Sequence, residues 1–153
     1  MKKHISIAFG YAIAAMACGV FYREYTKALG FGGVTSLGKV HTHLFMLGMV
    51  VFLLAALFDK QLDLKKSKLY MPFLVIYNIG VPAASVMMLA RGITQVSGTA
   101  LTSGADAAIS GISGIAHVIT AVGLVLLFVM LIKLAGEKRK AQAEDNSAQT
   151  PEK

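Results

Sequence analysis

Tryptophan is absent from this chain, cysteine occurs once, and acidic residues number eight against 15 basic ones. With Cys18 alone no intrachain disulfide can form and no thiolate cluster can hold a metal. Its place in an apolar run makes it packing material. Charge of either sign is scarce: charged residues make up 15% of the sequence, well below the quarter or so of an ordinary soluble domain. What replaces them is apolar, 56% of residues with a mean hydropathy of +0.64. That balance excludes a soluble domain and fits an integral membrane protein.

The net charge of +7 does not point to nucleic acid. The basic residues lie between and after apolar runs, where topology needs them, and no basic helix carries the interleaved aromatics of a nucleic-acid reader. At 153 residues the chain makes one domain.

Four apolar runs stand out, at about residues 5–22, 37–58, 70–90 and 107–134. Each is near the 20 or so residues a bilayer-spanning helix needs. Met1-Lys2-Lys3-His4 imitates a signal peptide's charged start, but the apolar run behind it is long enough to span, so an uncleaved first helix is expected. In that run Gly10, Ala14 and Cys18 recur every four residues, a ladder on which another helix packs closely. Tyr22 to Lys27 leads out of the apolar layer, and Asp59 to Lys68 reads as a charged loop.

Pro82 lies mid-span and removes an N–H near the level of Asn78, whose amide suits the bonding of helix to helix. Gly92 to Ala108 is rich in small polar residues and reads as a loop, with Asp106 as the N-cap of the last helix. The aromatic-free stretch 137–153 reads as a disordered tail. The expected organisation is therefore an all-α, four-span domain over 1–136 followed by that tail. Lys and Arg concentrate on the side of both termini, eleven of 15. The positive-inside rule then puts both ends in the cytoplasm of a bacterial inner membrane.

Within this apolar frame the residues hardest to place are His41 and His43, in Val40-His41-Thr42-His43-Leu44-Phe45-Met46-Leu47-Gly48 at the start of the second span. His43 falls about 9 Å along its helix at 1.5 Å per residue, and His117 enters the fourth span from the same side. Ionisable groups inside a membrane mark function more often than not. Neutral imidazole is the commonest side chain for binding iron, copper or zinc, and a facing pair between helices holds a heme in a bundle. Arg23, Lys39 and Arg91 lie at the same outer helix ends, suited to meet heme propionates.

Two residues on a helix turn about 200°, so His41 and His43 leave from opposite faces and serve different neighbours. His4, in the interfacial leader, reads as structural. Met46, Met49, Met87 and Met88 raise copper as a lesser alternative to heme b. No residue set reads as catalytic machinery. The competing reading is a cofactor-free transporter or accessory subunit, with Arg91, Asn78 and the Pro82 kink along a polar path.

Three segments carry a family likeness: Phe21-Tyr22-Arg23-Glu24, the His41-Thr42-His43 stretch, and Gly114-Ile115-Ala116-His117. Across 1–136 the chain resembles a family of small four-span bacterial membrane proteins of unknown function. His41-Thr42-His43, followed by apolar residues with Met and Gly, also resembles the His-x-His helix of the catalytic subunit of heme-copper oxidases. That subunit has twelve spans in three four-helix arcs. The resemblance implies that His41 corresponds to the ligand of the high-spin heme and His43 to a ligand of the low-spin heme. It further implies that a homo-oligomer, specifically a homotrimer, builds the equivalent of one oxidase core. The chain departs from the oxidase pattern in lacking the copper-site histidines, the His-plus-Tyr element and an acidic residue within a span, which argues against oxygen reduction.

Overall fold

The computed structural model describes residues 1–148 and is all helical across them. The helices are α1 (Lys2–Ala28), α2 (Leu37–Leu62), α3 (Tyr70–Ser97) and α4 (Ser103–Ala148), with a 3-10 turn at Leu64–Lys66. All four are long and apolar enough to cross a membrane, so the chain is a multi-pass membrane protein. They alternate in direction. One end of the bundle, the near end, carries the amino terminus and the α2–α3 connection; the far end carries the starts of α2 and α4.

Helices are the only open-chain solution in lipid, because each satisfies its own backbone hydrogen bonds. Their side chains divide accordingly. Ile5, Phe9, Ile13, Met16 and Val20 on α1, and Ile115, Val118, Val122, Val125, Phe128 and Ile132 on α4, stay exposed as the surface for lipid. The packed interior is aromatic. Tyr11 stacks on Phe52 with ring centroids 5.8 Å apart, Phe52 meets Phe73 at 5.9 Å, and Phe73 meets Tyr77 at 5.6 Å.

α1 packs along one side of α2, α3 along the other, and α4 chiefly along α3. Glycines decide how closely these pairs approach. A Cβ on Gly48 would lie 2.3 Å from the Tyr11 ring, seating α1 on α2. One on Gly92 would lie 2.4 Å from the Leu37 backbone nitrogen, seating α3 on the far end of α2. The Gly10-Ala14-Cys18 ladder does not have this role. Gly10 and Ala14 are exposed and a Cβ on Gly10 meets nothing within 4 Å. The buried face of α1 is instead Ala8, Tyr11 and Ala15, because Tyr11 fills the notch left by Gly48.

α2 changes pitch just below its histidines. Residues Leu37–His43 are α-helical, Leu44–Val50 form a π-helical segment, and Val51–Leu62 return to α. Such segments re-aim the turns on either side and frequently mark functional sites. The Tyr77 hydroxyl donates to the Leu47 carbonyl inside this segment at 2.9 Å. Tyr77→Phe is expected to cost about 1–3 kcal/mol in detergent unfolding; a loss under about 0.5 kcal/mol would show that the bond does not hold the segment.

Several boundaries differ from the sequence expectation. Tyr22 to Lys27, beyond the expected apolar span, continues α1, with the Thr26 hydroxyl bonded back to the Tyr22 carbonyl. α3 runs past Arg91 to Ser97 and stops at Gly98, whose φ of 67° suits glycine. The N-cap of α4 is Thr102, whose hydroxyl accepts the Ala105 N–H at 3.2 Å. Asp106 sits in the first turn and pairs with Arg91. Residues 137–148, expected to be disordered, extend α4. Ala, Glu, Lys, Arg and Gln are strong helix formers and propagate a helix that the membrane span has already nucleated. Residues 149–153 of that expected tail lie outside the described residues.

Candidate functional site

His43 on α2 and His117 on α4 come together at the far end, with ring centroids 6.3 Å apart and planes crossing at 84°. Each ring is fixed by its own helix. His43 Nδ1 lies 3.0 Å from the Lys39 carbonyl, and His117 Nδ1 lies 2.7 Å from the Ser113 carbonyl. A carbonyl only accepts, so both Nδ1 atoms carry the proton and donate. In the neutral ring Nε2 is then the nitrogen that keeps a free lone pair. This is the orientation that metal-ligating histidines adopt, one nitrogen bonded to backbone and the other left for the metal.

Beside the pair, toward the far end, lies a pocket of 420 Å³ lined in part by Ser36, Met87, Met88, Arg91, Ser110 and Ser113. Ser113 thus lines the pocket while its carbonyl orients His117. On α4, Gly111 and Gly114 have nothing within 4 Å of where a Cβ would stand, so the flank of His117 is open.

His41 goes to the opposite side, as its two-residue offset from His43 requires. It lies over Gly19 of α1, whose Cβ would meet the ring at 3.7 Å, and stacks on Tyr22 with centroids 6.3 Å apart. Its buried Nδ1 has no hydrogen-bond partner. Of the three basic candidates, Arg23 points to solvent and pairs with Glu24. Lys39 is exposed and contributes its carbonyl to His43. Arg91 alone lines the pocket, with its guanidinium bonded to Asp106 and to the Ser110 hydroxyl. Asn78 accepts the Tyr11 hydroxyl at 3.1 Å and so joins α3 to α1. The polar residues proposed for a transport path are thus engaged in holding helices together.

A second polar cluster, at the near end, escaped the sequence reading. His4 is fully buried, and its Nδ1 lies 3.5 Å from Asp59 Oδ2. Asp59 belongs to the last turns of α2 rather than to a loop. It also receives the Met1 amine and the Leu64 N–H. Tyr70 meets the His4 ring edge-on at 5.6 Å. The available signal was Asp59 itself, an acid directly abutting the apolar run that ends at Phe58.

Four spanning helices with paired imidazoles at one end and a buried His–Asp contact at the other define a small polytopic membrane protein with polar groups held inside its bundle. The chain belongs to the family described as protein of unknown function DUF2871, whose family model matches residues 1–134. No curated protein and no solved structure matches it. A likeness to heme-copper oxidases is not shown by these comparisons.

Proposed function

We propose that this is a membrane heme protein, holding heme b between His43 of α2 and His117 of α4. The observation that carries this reading is the His43–His117 geometry. The two rings stand 6.3 Å apart, centroid to centroid, with their planes crossing at 84°, and each would offer an imidazole nitrogen to one group held between the helices.

The donor set discriminates further. Among the described residues no three of His, Cys, Asp and Glu cluster so as to hold a metal ion, whereas bare zinc takes three or four protein ligands. A porphyrin brings four nitrogens of its own and would need only one or two side chains from the protein, which His43 and His117 would supply. That same count stands against a copper ion as the principal occupant. Bound heme would supply one-electron or gas-binding chemistry. The chain would supply two oriented imidazoles, and Arg91 on the adjoining pocket as a partner for propionate.

Further parts of the reading follow from sequence. The near end faces the cytoplasm of a bacterial inner membrane, on the excess of Lys and Arg there. The open flank of His117 suits closure by a second copy in a homo-oligomer, and His41, on the α1 side, is the residue that a trimeric oxidase-like assembly would use for a neighbouring site. Protein purified in detergent from heme-replete cells is expected to show a Soret band and a pyridine hemochrome of b type. A colourless preparation overturns the proposal.

A further inference from the structure

We propose that His4, Asp59 and Tyr70 form a proton-binding site at the near end of the bundle. It is separate from the His43–His117 pair and does not depend on heme. The His4 ring is 0% exposed, and neither of its nitrogens has a hydrogen-bond partner; the Tyr70 hydroxyl is buried and unpartnered as well. Buried polar groups are nearly always hydrogen-bonded. Three unmet hydrogen-bonding atoms on two touching rings therefore mark a place where something small binds.

What binds is limited by space and by charge. His4 is enclosed by Phe52, with centroids 6.4 Å apart, and by Tyr70, so no organic ligand reaches its nitrogens. The 3.5 Å from His4 Nδ1 to Asp59 Oδ2 is too long for a good N–H···O bond in the neutral state. A proton on the imidazole turns that contact into a charge-assisted bond, shorter and stronger. Burial itself opposes a charge on His4 most strongly, and the charged groups around it come from each neighbouring element: the Met1 amine ahead of α1, Lys3 from α1, Asp59 from α2 and Lys65 from the 3-10 turn, with Tyr70 of α3 against the ring. Asp59 favours the charge and the three cations oppose it, so the imidazole is held below its ordinary range.

The route for the proton is visible. The Asp59 side chain is 6% exposed and touches the Met1 amine, which is 57% exposed. A proton passes along this edge from hydronium to an imidazole nitrogen, the donor's O–H bond breaking as the N–H bond forms. Once charged, His4 competes with the Met1 amine for the same Asp59 oxygen, so the first turn of α1 responds to uptake.

The test is the ring-nitrogen NMR of the four histidines in the full-length protein, labelled with 15N and held in lipid nanodiscs. His4 is expected to convert from neutral imidazole to imidazolium as the pH falls below the ordinary histidine range, from about pH 6.5 toward about pH 4. Asp59→Asn is expected to move that conversion to lower pH by about one pH unit or more, because the neighbouring anion is gone. His4→Gln identifies the signal. Should that variant fail to fold, His41→Gln, His43→Gln and His117→Gln each remove their own signal and leave His4 by difference. A His4 ring that stays neutral throughout, or a conversion that Asp59→Asn leaves unmoved, overturns the proposal.

Discussion

His43→Ala and His117→Ala are each expected to abolish the Soret band of protein purified from heme-replete cells, while His41→Ala leaves it in place. The asymmetry follows from where the rings point. His43 and His117 meet edge-on between α2 and α4, whereas His41 lies against Gly19 and Tyr22 on the α1 side. Even groups that only orient a ligand cost about 10–100-fold in metal affinity when removed, so loss of a ligand itself should lower heme affinity by at least about a hundredfold. Far-UV circular dichroism of each variant guards against unfolding as the cause. If His41→Ala bleaches the protein and His117→Ala does not, the heme lies on the α1 side or between subunits, and the pairing proposed here is wrong.

The second large effect belongs to the α3–α4 interface. Gly80→Ala is expected to destabilise the protein by about 3 kcal/mol, read as a fall in the unfolding midpoint in detergent. The new Cβ would stand 2.6 Å from the Thr120 backbone nitrogen and 2.8 Å from its Cα, so backbone must move. Gly10→Ala makes the same chemical change on α1, where nothing lies within 4 Å. There the better helix propensity of alanine should stabilise by up to about 1 kcal/mol. Equal responses at the two sites would show that helix propensity, not close approach, governs both. Because α3 carries Arg91 and α4 carries His117, Gly80→Ala should also weaken heme retention.

Much of the architecture was legible because lipid imposes it locally. A span must be a contiguous apolar run, so the four helices and their order could be read from hydropathy. Their ends could not. Gly92 to Ser97 and residues 137–148 read as connection and tail, and both are helix. Polarity marks where the apolar layer stops and says little about where the backbone stops winding. Asp59 shows the same confusion with a larger consequence. Taken as the first residue of a loop, it conceals an acid lodged in the bundle beside a buried histidine.

The sequence by itself determined the class of this protein, the four membrane-spanning helices, and the opposite facing of His41 and His43, since all three follow from local composition and helical pitch. Only the tertiary structure decided which side chains meet. It brought His43 to His117, turned His41 toward α1, fastened Arg91 to Asp106, and buried His4 against Asp59. Those meetings depend on how closely helices approach and at what rotation. Gly48, Gly80 and Gly92, the Tyr11 ring and the π-helical segment of α2 set that approach, and none of it is visible in the periodicity of a single helix.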